Sequence, residues 1–140
     1  MKIHVLTVGK RSLKQLKELF EEYLGRIKHY LSIEMINFKS MGDYLKKSHP
    51  HDFLIILDAK GRTFDSKEFA KWIEEKKLHS TESLTFLIGP GEGLGEEIKR
   101  QANFILSLSQ MTLQHELALV VLLEQIYRAC TILKGEPYHK

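Results

Sequence analysis

A chain of 140 residues, 43% apolar and 28% charged, suits one domain with a real core and lies far from a disordered composition. Its one cysteine, Cys130, excludes an intrachain disulfide, reads as a small core residue and fits a reducing, cytoplasmic setting. Net charge is +3, yet residues 1–78 hold 16 Lys/Arg against 11 Asp/Glu while residues 79–140 hold 5 against 7, so the surplus suits either a polyanionic partner or a plain lysine-rich surface.

"IHVLTVG" (3–9) predicts a first strand ending at a glycine, too short an apolar stretch for a signal peptide. Ser12 with Gln15 three residues on predicts a capped helix start, and Leu13, Leu16, Phe20, Tyr23, Leu24 and Ile27 make its apolar face. "SIEMINF" (32–38) alternates as a strand does. Residues 39–52 are polar and end in a proline break, predicting a short helix or an ordered loop. "FLIILD" (53–58) is a continuous apolar run, the mark of a strand covered on both faces, with "AKGRT" as the loop behind it. Asp65 and Glu68 form a second capping-box pattern before a helix that buries Phe69, Trp72 and Ile73. "SLTFLIG" (83–89) is another buried strand, followed by a glycine loop and a short helix near 94–102. "FILSLS" (104–109) is a fifth strand, and a long helix runs from about Gln114 to Leu133 with Gly135 as its stop.

Strands alternating with helices predict one α/β domain around a mostly parallel sheet of about five strands. The last helix is apolar almost all round. One sheet face cannot cover it, so a second surface is implied, either a homodimer interface or burial at the centre of the fold. Its run Leu117 to Leu123 is far below the roughly 20 residues of a membrane span.

Three stretches carry candidate chemistry. "FLIGPGEGLGEEI" (86–98) has glycines at 89, 91, 93 and 95, which fit neither the dinucleotide fingerprint nor the P-loop. Glu92, Glu96 and Glu97 would repel a phosphate, so a ligand here is neutral or cationic near the loop; locally, a tight turn with acidic capping residues explains the stretch at least as well. In "LSQMTLQHEL" (108–117), main-chain groups could line an adenine-sized pocket with apolar walls, and His115 opens the helix as a cap or a catalytic group. Taken singly, His115 is better explained as structural. "GEPYHK" ends the chain with Tyr138, His139 and Lys140, able to stack on a base and meet a phosphate, although most tails are frayed. His49 and His51 lack a third ligand and read as loop residues, so no metal is expected.

Together, "FLIGPGEGL", "SLSQMTLQHELALVVLLEQIYRA" and "GEPYHK", in this order behind "MKIHVLTVGK", closely resemble the RlmH family of SPOUT-class methyltransferases over the whole chain. The resemblance implies a homodimeric α/β knot, joined through the C-terminal helix, whose C-terminal segment threads a trefoil. It implies S-adenosyl-L-methionine as cofactor and N3 of a pseudouridine in helix 69 of 23S rRNA as target, on the assembled ribosome or large subunit in the cytoplasm, with no membrane and no metal. Carried over by motif, the cofactor site comprises Leu57, Gly89, Leu108, Ser109, Gln110, Met111, Thr112 and Leu113. The catalytic, substrate-side candidates are His115, Tyr138, His139 and Lys140, with Lys10, Arg11, Lys14 and Lys17 toward RNA phosphates. The base is left open between His115, His139 and solvent.

The chain departs from the family pattern at three positions. Gln114 stands for a proline, Leu119 for an arginine and Pro90 for the second of a glycine pair, and the segment 39–52 is short. A SPOUT enzyme with another RNA target, such as tRNA, and a non-catalytic RNA-binding dimer are the competing readings; a generic nucleotide-binding domain is disfavoured by the acidic loop.

Overall fold

The computed structural model describes every residue except His49, Ser80, Gly91, Glu92 and Lys140. Five parallel strands, β1 (Lys2–Val8), β2 (Ser32–Phe38), β3 (Leu54–Thr63), β4 (Ser83–Ile88) and β5 (Phe104–Ser107), form one sheet in the order β2-β1-β4-β3-β5. The helices are α1 (Lys17–Ile27), α2 (Met41–Lys47), α3 (Ser66–Leu78), α4 (Glu96–Arg100) and α5 (His115–Leu133).

Parallel strands need crossovers, and right-handed crossovers decide which face each helix covers. The steps β1 to β2 and β3 to β4 run toward one edge of the sheet, and the other two steps run toward the opposite edge. The core divides accordingly. Ile3, Val5, Ile55, Leu84 and Phe86 pack against α1, α3 and α5, while Leu6, Val8, Ile56 and Leu87 pack against Tyr44 of α2 and Ile98 of α4. Side chains therefore leave β1 alternately for two cores, Ile3 and Val5 for one and Leu6 and Val8 for the other.

The second surface that α5 calls for is supplied in part by this chain. Leu119, Leu122, Leu123, Ile126 and Ala129 are buried in the core that α1 and α3 share with it. Leu119, at the position where the family commonly has an arginine, is 1% exposed and presents nothing to a ligand.

Two local expectations give way to tertiary contacts. Ser12 does not cap the first helix, which starts instead through a 3-10 turn at Lys14–Leu16. "AKGRT" is no loop: β3 continues to Thr63, with an excursion of residues 58–61. Leu57 and Arg62 both pair with Leu106, so the four residues between them are pushed out of the ladder. The Asp65 capping box forms as expected, Asp65 accepting from the Glu68 amide and Glu68 from the Asp65 amide.

Candidate active site

The C-terminal ends of β3, β4 and β5 enclose a cavity of about 480 Å³, the place where open α/β sheets hold ligands. Its rim is formed by the β3 excursion, by Gly89, Pro90, Gly93 and Leu94, and by residues of the segment between β5 and α5. Leu57, Gly89, Leu108, Ser109, Met111, Thr112 and Leu113 all line it, seven of the eight residues assigned to the cofactor; Gln110 is exposed outside the lining.

β5 stops at Ser107 and α5 begins at His115, so the main chain of 108–114 is outside both ladders and can face a ligand. Internal bonds shape this segment: Ser107 Oγ donates to the Ser109 carbonyl at 2.8 Å, and the Met111 amide donates to Ser109 Oγ at 3.0 Å. Gly89 admits Leu94 so closely that a Cβ there would stand 2.5 Å from Leu94 Cγ. The Gly93 amide closes the loop onto the Pro90 carbonyl at 2.7 Å, so proline in place of the second glycine is compatible with the turn. Glu96 and Glu97 fill the first turn of α4, where anions are favoured. Glu92 lies outside the described residues.

The charged wall of the cavity is Asp58. Lys99 of α4 meets it at 2.6 Å, and the Lys60 amide donates to it at 2.9 Å. These two partners, Lys99 first, hold the Asp58 carboxyl below its ordinary value of 3.8. A depressed folded-state pKa stabilises the fold fully above the ordinary value, and that stability is lost as pH falls through the lower folded value. Asp58→Asn should therefore lower Tm at neutral pH, with a gap from wild type that closes below about pH 4 in a thermal-melt series. A constant gap down to pH 2 would refute the linkage.

At the start of α5, Gln114 performs the capping that the family proline does not: its Oε1 accepts from the Glu116 and Leu117 amides at 2.8 and 3.0 Å. Gln114→Ala should cost about 1 kcal/mol in denaturant unfolding, and no loss would refute the cap. His115 Nε2 faces the Lys10 carbonyl at 3.3 Å, and a carbonyl only accepts, so Nε2 carries the proton. Gln114 Nε2, a donor, faces Nδ1 at 3.5 Å.

The substrate-side candidates are not brought together. Tyr138 packs edge-on against Tyr127 at 4.7 Å, with the Arg128 guanidinium 4.9 Å from its ring centre. Arg128 donates to His139 Nδ1 at 3.0 Å and to Glu124 at 2.6 Å. Arginine has no acceptor, so His139 keeps its proton on Nε2. The helix from His115 to Arg128 rises about 20 Å, which puts the tail at the far end of α5 from the cavity of its own chain. Lys140 lies outside the described residues.

Lys10, Arg11, Lys14 and Lys17 are exposed; the Lys10 carbonyl meets the cavity residue His115, and Arg11 lies 5.4 Å from the Phe20 ring centre. His51 faces Tyr44 at 3.0 Å, while His49 lies outside the described residues; no metal-binding cluster occurs among those described. Nor is any described helix long and apolar enough to cross a membrane. Sequence reasoning passed over Asp58, Lys99, Glu116 and Arg128. Only Asp58 left a signal, as a carboxylate ending a buried strand.

A parallel α/β sheet with a cavity at its strand ends, lined mostly by apolar side chains with Asp58 and Lys60 as the charged ones, has the layout in which α/β enzymes hold ligands. Residues 1–139 match the family described as "Predicted SPOUT methyltransferase". The chain belongs to the SPOUT methyltransferase family. It is 42% identical over 140 residues, all of both chains, to "Ribosomal RNA large subunit methyltransferase H" of Coprothermobacter proteolyticus. A protein of the same name from Carboxydothermus hydrogenoformans is 40% identical over 159 residues, again all of both chains. Among solved structures, a probable methylase family protein from Haemophilus influenzae superimposes with a TM-score of 0.60 at 11% identity, covering 99% of this chain and 70% of that one, a likeness of fold.

SPOUT methyltransferases use S-adenosylmethionine, and the cavity suits it: the volume lies within the range of small-molecule sites. Leu57, Leu108 and Leu113 supply apolar walls, and the Asp58–Lys99 pair stands at the rim.

Proposed function

We propose that the protein methylates N3 of a pseudouridine in helix 69 of large-subunit rRNA, on the assembled ribosome or large subunit in the cytoplasm. The observation that carries this reading is end-to-end identity of 42% with a ribosomal RNA large subunit methyltransferase, on a chain whose glycine loop and segment after β5 line one cavity. The cofactor, when bound, supplies a methyl group activated on a sulfonium.

The residues of the chain do the rest. Leu108, Ser109, Met111, Thr112 and Leu113 orient the donor, and Gln110 belongs to the same segment. The nucleophile is N3, whose proton must leave. His115 Nε2–H is committed to Lys10, and His139 carries its proton on Nε2. This favours His139 as a donor to a carbonyl beside N3, with the proton released to solvent, over a histidine base. Tyr138 stacks on the base, and Lys140, Lys10, Arg11, Lys14 and Lys17 meet phosphates.

The functional unit in this reading is a homodimer through α5. Leu117 and Met111 are 45% and 78% exposed at the cavity end of α5, and Leu133 is 40% exposed at its other end. The tail lies about 20 Å along α5 from its own cavity, so the partner's tail completes each site. The trefoil path of the C-terminal segment belongs to the same proposal.

The deciding experiment is mass spectrometry of rRNA from cells with and without the gene, expecting loss of one methyl from a helix 69 pseudouridine. Incorporation of labelled methyl into tRNA and none into ribosomes would replace this target with the competing one.

A further inference from the structure

We propose that Glu116 is a positioning residue: it latches the basic loop after β1 onto the start of α5, so that Lys10 and Arg11 and the setting of His115 are held as one unit. The inference rests on the proposed function only for the identity of the RNA. Glu116 is 2% exposed, and its carboxylate accepts from the Ser12 amide at 2.7 Å, the Ser12 hydroxyl at 3.1 Å and the Leu13 amide at 3.1 Å. All of these donors lie more than a hundred residues away in sequence.

Helix capping does not require this carboxylate, because Gln114 already accepts from the Glu116 and Leu117 amides. A carboxylate removed from water at this site is retained by its donors: the loop supplies the Ser12 and Leu13 amides and the Ser12 hydroxyl, while His115 Nε2 stands 3.8 Å away at the start of the helix. The loop starts at a backbone conformation that suits glycine and packs against the cavity rim. Gly9 takes φ +125°, and a Cβ there would stand 3.6 Å from Pro90 and 3.9 Å from His115 Nε2. The next residue, Lys10, holds its carbonyl 3.3 Å from that same nitrogen. Release of Ser12 and Leu13 would thus free His115 from its acceptor and let two cations swing away from the cavity mouth.

The test uses the full-length chain as wild type, Glu116→Gln, the Lys10→Ala/Arg11→Ala pair and all three changes together. Three quantities are read: affinity for ribosomes and large subunits at fixed salt, affinity for S-adenosylmethionine, and amide hydrogen exchange. Glu116→Gln keeps an acceptor oxygen, so the chain folds. We expect it to weaken rRNA binding about tenfold, the scale of one charge-assisted contact, with cofactor affinity nearly unchanged. In the Lys10→Ala/Arg11→Ala background the same change should add nothing, since it acts through those cations. Exchange at the Ser12 and Leu13 amides should quicken while Leu122 and Leu123 stay protected. Equal losses in both backgrounds, or parallel losses of RNA and cofactor affinity, would reduce Glu116 to a structural residue. Unchanged exchange at Ser12 and Leu13 would overturn the latch outright. A wild-type chain that binds neither ribosomes nor large subunits would overturn the proposed function instead, and the exchange result would still decide the latch.

Discussion

Two inactive variants should restore methylation when mixed. Gly89→Val blocks the cavity, because even a Cβ at that position meets Leu94 Cγ at 2.5 Å. His139→Ala removes the proposed donor from the tail and leaves the cavity intact. Each alone should lose on the order of a hundredfold in turnover, the scale of misplacing a reacting group by an ångström. In a heterodimer, one cavity is intact and faces the intact tail of the other subunit. Random exchange makes half the dimers mixed, each with one working site, so about a quarter of wild-type activity should return. Methyl incorporation after co-refolding measures it, with circular dichroism confirming that both variants fold. Were each site built within one protomer, every protomer in the mixture would carry a defect, and no activity would return. The prediction follows from one distance, the length of α5 between His115 and Arg128.

Gly61→Ala should damage both stability and cofactor binding. A Cβ at residue 61 would stand 2.6 Å from the Ile105 carbonyl oxygen and 2.8 Å from its carbon. These are backbone atoms of a paired strand and cannot turn aside as a side chain would. The β3–β5 ladder must therefore open, at an overpacking cost of about 1–3 kcal/mol. Because Leu57, Asp58, Ala59 and Lys60 line the cavity from this excursion, cofactor affinity should also fall, by about tenfold for 1.4 kcal/mol of lost contact. Calorimetry of unfolding and of binding reads both effects. Gly25→Ala is the control: it lies in α1 with nothing within 4 Å of a new Cβ, and it should stabilise by about 0.5–1 kcal/mol. If Gly61→Ala matched that control in sign, the close approach to Ile105 would not constrain the fold.

Much of the fold was legible because its signals are local. The span of β2, the Asp65–Glu68 box and the run of α5 to Leu133 with Gly135 behind it depend on residues a few positions apart. The cavity segment was legible for another reason: Leu108, Ser109, Met111, Thr112 and Leu113 lie close together in sequence, so one motif match carries them to the cavity, with Gln110 alone outside the lining. The tail was legible as chemistry and illegible as place. Tyr138 and His139 sit where Tyr127 and Arg128 hold them, and no spacing within "PYHK" encodes that contact.

What the amino-acid order determined by itself was the alternation of buried strands and helices, hence the parallel α/β class, and the acidic glycine loop that argued against a phosphate chain. Tertiary structure decided the rest where distant groups compete for the same polar atoms. Ser12 has the pattern of a helix cap, but the buried carboxylate of Glu116 offers its amide and hydroxyl a charged acceptor from across the fold. Residues 58–61 have the composition of a loop, but pairing with β5 on both sides keeps them in one strand and swings Asp58 to the cavity wall. Leu119 stands where the family commonly has an arginine, and the shared core of α1, α3 and α5 takes it in. In each case the deciding free energy is desolvation or backbone pairing between segments far apart in the chain, which a local pattern does not contain.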